Sequence, residues 1–165
     1  MVTVDAVIFD SVDRLRVLMV KRKGETEHGK WALPGGFVDE GEDLHEAISR
    51  EVLEETGAAI KFTYKDQYTT VGTPLRDPRG HAITIVHCVM IDPKDYNWEA
   101  GDDASELRWV DPVDLVDGNE IPLNDIAFDH LEIIRHIDSQ IELANQHIKK
   151  VIKDTEDECS DCFAM

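Results

Sequence analysis

The sequence has few basic residues, and this shortage excludes one large class of partners. It carries 17 Lys and Arg against 35 Asp and Glu, so its formal net charge is −18. Nucleic-acid affinity depends on Lys and Arg displacing counterions from phosphates, and an acidic surface repels that backbone. We therefore expect no nucleic acid among the partners of this chain.

Long apolar runs are also missing. No segment approaches the roughly 18 uncharged apolar residues that a membrane helix needs. The first residues, Met1 to Asp5, include an acid and show no basic segment followed by an apolar one, as a secretory signal would. We expect no membrane contact and a cytoplasmic location.

Cysteine is scarce, with only Cys88, Cys159 and Cys162 in 165 residues. Three unevenly placed cysteines do not make a disulfide framework, which is consistent with a reducing compartment. The C-x-x-C at 159–162 has no second pair, so we interpret residues 154–165 as a flexible acidic tail. The sequence also contains no G-x-x-x-x-G-K-[ST] and no H-E-x-x-H, which argues against a P-loop NTPase and that type of zinc site.

The hydrophobic content and the strand and helix patterns of the sequence predict one α/β domain over residues 1–153. Hydrophobic residues make up 42% of the chain, enough for a core, and no linker or repeat divides it. Runs rich in β-branched residues predict strands, and their order around a helix predicts a mixed sheet. The predicted strands are Val2–Phe9, Leu15–Arg22, Ala59–Val71, Ala82–Ile91 and Glu106–Val110.

Two longer helices are predicted, besides a short one over Pro112–Val116. Residues Glu42–Thr56 contain no Gly or Pro and are followed by Gly57, a natural helix stop. From Ile126 to about Lys153 apolar residues recur every three or four positions, which predicts one long amphipathic helix. Such a helix packs on its own sheet or on another subunit, and the pattern leaves both arrangements open.

The first helix carries acids on its apolar side. At 100° per residue Glu51 and Glu55 continue the stripe begun by Ile48, and Glu54 lies at its edge. Carboxylates on a buried stripe are costly unless a cation binds between them. Oxygen ligands select hard ions, so the stripe predicts a site for Mg²⁺, with Mn²⁺ able to replace it. A solvated, glutamate-rich face is the alternative interpretation.

A longer motif surrounds these acids and resembles the Nudix box, the signature of hydrolases that cleave nucleoside diphosphates linked to another group. The matching residues are Gly36, then Glu42 after five residues, then Arg50-Glu51-Val52-Leu53-Glu54-Glu55-Thr56-Gly57-Ala58 after seven more. Ala58 replaces the larger aliphatic residue usual there. The resemblance implies an α/β/α sandwich in which a mixed sheet lies between helices.

The resemblance also implies roles for individual residues. Glu51, Glu54, Glu55 and the Gly36 carbonyl would bind the metal, and Arg50 would orient a glutamate. In the family a metal-activated water attacks a phosphorus, and the catalytic base is either a box glutamate or an acid on a distant loop. Arg50, Glu51 and Glu54 are accordingly the predicted catalytic residues. The acids outside the box that remain open as the base are Glu99, Asp102, Asp103 and Glu106.

Two further segments bear on the substrate. The Arg76-Asp77-Pro78-Arg79-Gly80 loop carries two guanidiniums suited to phosphate, with an ordinary turn as the alternative. This loop and residues 126–130 resemble segments of the ADP-ribose pyrophosphatase branch. We therefore predict a small nucleoside diphosphate substrate, ADP-ribose, hydrolysed to AMP and ribose 5-phosphate, with Arg22, Arg76 and Arg79 as substrate-binding residues.

Three alternatives stay open. In the first, the substrate is another nucleoside diphosphate derivative. In the second, the chain is a module that senses ADP-ribose without turnover, and in the third it is a partner-binding protein that uses its last helix. Trp31 and Phe128 are interpreted as core residues, although a Trp at position 31 has the right chemistry to stack on adenine. The resemblance further implies a homodimer.

Overall fold

The computed structural model describes residues 1–10, 12, 15–101, 103–141, 143, 144, 146 and 147. Within these residues the chain forms strands, α-helices and short 3₁₀ turns. The strands are β1 Val2–Asp10, β2 Arg16–Arg22, β3 Trp31–Ala32, β4 Gly35–Phe37, β5 Gln67–Val71, β6 Ile83–Ile91 and β7 Ala104–Val110. The helices are α1 Leu44–Thr56, α2 Pro112–Asp117 and α3, residues 130–141, with residues 143, 144, 146 and 147 also helical.

The strands join in one mixed sheet, with β1 near its centre. The main order is β3-β2-β1-β6-β5, while β4 pairs with β1 and β7 pairs with β2. Strands β1 and β6 run parallel along their whole length, from Val2 opposite Ile83 to Asp10 opposite Ile91. The other pairs are antiparallel. This arrangement confirms the predicted α/β class with a mixed sheet.

Along β1, apolar side chains that pack in the core alternate with polar side chains on the opposite face of the sheet. Val4, Ala6 and Ile8 are fully buried and belong to the core cluster that includes Ile48 and Val52 of α1. Burying a side chain of this size stabilises the fold by about 1.5–3 kcal/mol. Successive strand residues point to opposite faces, so the polar Thr3 and Asp5 take the intervening positions. The central strand thus supplies both apolar packing and buried polar groups.

Helix α1 begins two residues later than predicted. Asp43 is its N-cap, and the Asp43 side chain accepts a hydrogen bond from the His45 N–H. Glu42 lies before the cap, where its carboxylate accepts from the backbone N–H of Asp39 at 3.1 Å. The helix ends at Gly57, which has a φ of 72°, a left-handed conformation favourable to glycine.

The strand predicted over Ala59–Val71 is wrong for its first half. Only Gln67–Val71 is β-strand, and a 3₁₀ turn over Tyr64–Asp66 precedes it. A reciprocal capping box between Thr63 and Asp66 closes that turn. Ile60 and Phe62 are buried in the α1 core cluster without entering the sheet, so their apolar character reflects packing.

The last helix starts four residues later than the predicted Ile126. Ile126 forms a parallel bridge with Trp31, and the Ala127 N–H donates to the Trp31 carbonyl at 2.8 Å. Phe128 has a φ of 53°, which interrupts any helix at that point. Apolar residues recur with helical spacing from Ile126 onward, but the first of them pair with β3, so the helix begins only at His130.

The chain divides after Leu131 into two compact units, residues 1–131 and 132–165. The first unit carries the sheet, α1 and α2. In the second unit, residues 132–141 are helical, and Arg135 pairs with Glu132 at 2.6 Å. A single domain over 1–153 stays a prediction, and residues 148–165, including Cys159, Cys162 and the predicted tail, lie outside the described residues. No helix in the described ranges is both long and apolar enough to cross a membrane.

Candidate active site

A cavity of about 200 Å³ opens beside β4 in the first unit. Its acidic end is bordered by α1 through Glu51 and Glu55 and by Gly36 of β4. The loop that holds Arg76 and Arg79 also borders the cavity. The cavity therefore brings the motif helix together with the arginine loop, as the two predicted groups of site residues require.

Glu55 is the most buried acid of the motif, with 6% of its surface exposed. Its carboxylate accepts a hydrogen bond from the Gly35 N–H at 3.1 Å. Burial raises the pKa of Glu55 to about 8, and the nearby charge of Glu51 adds to that rise. Burial also raises the pKa of Glu51, against the lowering effect of Arg50. Both acids thus lie where additional positive charge would be stabilising.

Arg50 organises the acids on the outer side of α1. Its guanidinium donates to both Glu42 oxygens at 2.8 Å, to Glu51 at 2.8 Å and to Glu54 at 3.3 Å. It also donates to the Phe37 carbonyl at 3.0 Å. These bonds fix Glu42 and Glu51 in place, whereas 57% of the Glu54 side chain stays exposed. Glu54 does not border the cavity in this arrangement.

Gly36 has a steric reason to be glycine. A Cβ at this position would lie 2.6 Å from the carboxyl carbon and both oxygens of Glu51. Real Cβ atoms do not approach so closely, so a side chain at this position would displace the Glu51 carboxylate from the β4 backbone. The Gly36 main chain and the Glu51 carboxylate are therefore adjacent, and the metal-binding role of the Gly36 carbonyl stays a prediction.

The donor set fits a hard divalent ion in its chemistry. Carboxylate and backbone oxygens are the ligands that Mg²⁺ and Mn²⁺ prefer. Among the described residues, however, no three Asp, Glu, His or Cys side chains are grouped closely enough to hold an ion as they stand. Arg50 engages the carboxylates of both Glu51 and Glu54.

The acids outside the motif occupy different surroundings. Asp103 borders the cavity, whereas Glu99 and Glu106 do not. Glu106 pairs with Arg108 at 2.8 Å, and this hydrogen bond lowers the pKa of Glu106. Asp102 lies outside the described residues. The structure thus brings Asp103, of the three acids it describes, to the site.

The three predicted substrate arginines all border the cavity, but each has different partners. Arg76 is 5% exposed and binds Asp129 through two nitrogens, at 2.9 and 2.6 Å. Arg79 is 34% exposed and binds the buried Asp77, whose pKa is lowered by these hydrogen bonds. Arg22 donates to the Thr26 carbonyl at 3.2 Å, and its charge acts on Glu55 to lower the pKa of that acid.

Sequence reasoning missed a buried polar network at the cavity floor. Asp5 accepts from the Thr84 hydroxyl at 2.5 Å and lies 3.6 Å from Nε2 of His130. Nδ1 of His130 accepts from the Leu33 N–H at 2.8 Å, and burial lowers the pKa of His130. A polar residue within the apolar run of β1 was the available signal for Asp5.

Two aromatic side chains of the cavity wall were also missed or misassigned. Phe37 is 40% exposed and borders the cavity directly after Gly36. Phe128 was interpreted as core, and it does pack partly against a core cluster, yet its ring also borders the cavity. Trp31 is 5% exposed and stays outside the cavity, as expected for core.

Comparison with known proteins gives concordant matches. The family model described as NUDIX domain matches residues 1–137. An ADP-ribose pyrophosphatase of Methanocaldococcus jannaschii is 42% identical over 120 residues, which are 73% of this chain and 64% of that protein. An ADPR responsive transcriptional repressor of Acinetobacter baylyi is 34% identical over 139 residues, 82% of this chain and 52% of the repressor.

A solved structure agrees with these sequence relatives. The NUDIX domain of Shewanella oneidensis NrtR complexed with ADP ribose superposes with a TM-score of 0.72 at 31% identity, over 86% of this chain and 88% of that one. This chain spans less of the two sequence relatives, 64% and 52% of their lengths. The similarity therefore covers the domain that holds the cavity.

Proposed function

The chain belongs to the NUDIX domain family, and from this premise we propose that it is a Mg²⁺-dependent hydrolase of ADP-ribose, with AMP and ribose 5-phosphate as products. The observation that carries the proposal is the cavity itself, which is lined by Glu51, Glu55 and Gly36 together with arginines. The 42% identity with an ADP-ribose pyrophosphatase supports the choice of substrate.

We assign the metal to Glu51, Glu54, Glu55 and the Gly36 carbonyl. When bound, Mg²⁺ or Mn²⁺ neutralises charge on the diphosphate and makes a bound water more acidic. Arg50 donates to one oxygen each of Glu51 and Glu54, which leaves the second oxygen of each carboxylate to serve as a ligand, while Glu42 keeps Arg50 in place through two bonds of 2.8 Å. Arg50 thus positions the glutamates and does not itself contact the reacting atoms.

Asp103 is the acid we assign as general base outside the motif. It borders the cavity, and it lies on the segment that carries Gly101, whose N–H donates to the Glu55 carbonyl at 3.0 Å. A carboxylate held beside the metal ligands can take the proton of the attacking water. Arg22 borders the same cavity, and its guanidinium is the group we assign to offset phosphate charge.

The proposal is tested by product analysis. The protein is incubated with ADP-ribose, dinucleotide polyphosphates and sugar nucleotides, each with Mg²⁺ or with EDTA, and products are separated by chromatography. We expect AMP and ribose 5-phosphate from ADP-ribose with Mg²⁺ and none with EDTA. Faster turnover of another nucleoside diphosphate derivative would keep the hydrolase and replace the substrate.

A second candidate function is binding of ADP-ribose without turnover. It is favoured by the 34% identity with an ADPR responsive transcriptional repressor. Binding of ADP-ribose to the Mg²⁺-loaded protein with no product would establish this function instead. DNA binding is a separate property, and with a net charge of −18 we expect none for this chain.

A further inference from the structure

An aromatic patch borders the cavity around Arg79 and has no part in the proposed chemistry. It consists of Phe37, Arg79 and Phe128, which all border the cavity. The Arg79 guanidinium carbon lies 4.7 Å from the Phe37 ring centroid and 5.6 Å from that of Phe128. These distances are within the range of cation–π contact. The patch therefore presents adjoining flat groups at the cavity wall.

The edge of the Arg79 guanidinium is already occupied. Its Nε lies 3.0 and 3.2 Å from the two Asp77 oxygens, and Nη2 lies 2.7 Å from one of them. Asp77 is nearly inaccessible, with 4% of its side chain exposed. Because a carboxylate neutralises this guanidinium along its N–H edge, Arg79 is poorly suited to clamp a phosphate. What it offers is its flat face, which stacks on aromatic rings.

The other two arginines at the cavity have different partners from Arg79. Arg76 is buried against Asp129 and ties the loop to the segment before α3. Arg22 also borders the cavity; its guanidinium carbon lies 5.0 Å from the Phe128 ring centroid, and its described hydrogen bond goes to the Thr26 carbonyl. Arg22 is therefore the arginine we assign to phosphate beside the patch, and the exposed Phe37 ring suits a part of the substrate that is planar and uncharged.

Phe128 is held in the cavity wall at some conformational cost. Its φ of 53° is rare for a bulky residue. Hydrogen bonds on both sides hold the turn, from the Ala127 N–H to the Trp31 carbonyl and from the His130 N–H to the Ala127 carbonyl. Strained backbone of this kind persists where surrounding structure fixes it, often at binding sites. Phe37 is the most open ring of the patch, with 40% exposed.

We propose that the aromatic patch of Phe37, Arg79 and Phe128 is the seat on which the nucleobase of the substrate stacks, with Phe37 as the principal contact. This inference rests on the proposed function, since it assigns the base end of the same nucleoside diphosphate substrate. A stacked base contributes a similar amount in the ground state and the transition state, so the patch acts on binding and not on the chemical step.

Adenosine binding tests the proposal separately from hydrolysis, because adenosine has no phosphate and is not turned over. Titration calorimetry compares adenosine with ribose 5-phosphate on the full chain and on F37A, F37L and F37W. We expect F37A and F37L to weaken adenosine binding about tenfold, since base–aromatic stacking is worth roughly 1–3 kcal/mol. Binding of ribose 5-phosphate should not change. F37W should bind adenosine, and its added tryptophan emission should be quenched by adenosine alone.

The matched control is Tyr64→Ala, which removes an aromatic ring that is 75% exposed and does not border the cavity. It should leave both affinities unchanged. Unaltered adenosine binding in F37A, or equal weakening of adenosine and ribose 5-phosphate, would overturn the stacking proposal even if ADP-ribose is hydrolysed. Conversely, selective loss of adenosine binding would support it even if ADP-ribose is not turned over. In an active enzyme, F37A should raise KM for ADP-ribose and leave kcat within about twofold.

Discussion

At the scale of single residues, Arg50 binds three acids that lie in different environments. Glu42 is held outside the helix, Glu51 lies at the cavity and Glu54 faces solvent. Its hydrogen bonds lower the pKa of Glu42, and the carboxylates in turn raise the pKa of the Arg50 guanidinium above its ordinary value. Arg50 therefore stays charged and holds Glu42, Glu51 and Glu54 through its guanidinium.

Glu54→Gln is expected to lower kcat/KM for ADP-ribose by at least about a hundredfold, the scale of losing a group that acts in the transition state. The melting temperature should stay within about 2 °C, because surface substitutions change stability by only ~0.5 kcal/mol. Glu46→Gln, an exposed glutamate in the first turn of the same helix, is the control. Equal activity of the two variants would remove Glu54 from the metal site.

Arg76→Ala is expected to lower the free energy of unfolding by about 3–5 kcal/mol, because it leaves Asp129 without its buried partner. Urea denaturation measures this change. Arg135→Ala, which breaks an exposed i,i+3 pair with Glu132, should cost no more than ~0.5 kcal/mol. Similar costs for both would show that Arg76 is not structural, and would return it to direct substrate contact.

Asp77→Asn tests the charge that holds Arg79. The pKa of Asp77 lies below its usual value of 3.8 in the folded chain because of its hydrogen bonds to Arg79. Ionised Asp77 therefore contributes stability that is full above pH 3.8 and is lost as the pH falls through the lower folded value. The variant should lose about 1–2 kcal/mol at pH 7 and less near pH 3, by urea denaturation. An equal loss at both pH values would contradict this account.

At the scale of elements, the loop before β7 is fastened to the end of α1. The Glu99 N–H donates to the Thr56 carbonyl at 2.8 Å, and the Gly101 N–H donates to the Glu55 carbonyl at 3.0 Å. A Cβ on Gly101 would lie 1.7 Å from the Glu54 carbonyl oxygen. The loop thus approaches the last turn of α1 as closely as backbone allows, and Asp103, two residues after Gly101, borders the cavity.

Gly101→Ala is expected to push this loop away from α1 and to lower the free energy of unfolding by about 1–3 kcal/mol. Because the shift displaces Asp103, kcat/KM should fall at least about tenfold, the scale of losses from misplaced groups. Thermal unfolding and steady-state kinetics measure both effects. Gly72→Ala is the control, since its Cβ would meet only Ile83 Cγ1 at an ordinary 3.4 Å. If the two variants behave alike, the loop does not position the base.

Local patterns predicted those elements whose character depends on their own residues. Strand β1, strand β2 and helix α1 were found within two residues of their predicted ends, because β-branched runs, a cap and Gly57 define them locally. The strand over 59–66 and the helix start at 126 were wrong. In both places apolar side chains pack against distant elements, and a capping box or a left-handed Phe128 sets the backbone.

The candidate site was likewise predicted only where local sequence defines it. The motif identified Glu51, Glu55 and Gly36, because spacing on a helix and one glycine suffice to define them. It did not distinguish the three arginines, whose roles depend on Asp129 and Asp77 as partners. Phe37 became visible only when the fold placed it at the cavity, whereas Asp5 had a signal in the sequence, as a polar residue within the apolar run of β1.

At the scale of the whole molecule, an acidic protein holds an anionic ligand through a few placed cations. With a net charge of −18, long-range attraction does not bring a nucleoside diphosphate to the cavity. Local groups must do so, and in our proposal these are Arg22 and a divalent ion at Glu51, Glu54 and Glu55. The homodimer stays a prediction, which sedimentation velocity would check.

The most direct test of the central claim is a single-turnover reaction in which the protein, in excess over ADP-ribose, is mixed with Mg²⁺ and quenched. Chromatography then measures how much ADP-ribose remains. The account predicts complete conversion to AMP and ribose 5-phosphate, and intact ADP-ribose when EDTA replaces Mg²⁺. Recovery of bound but intact ADP-ribose in the presence of Mg²⁺ would contradict hydrolysis and identify a sensing module.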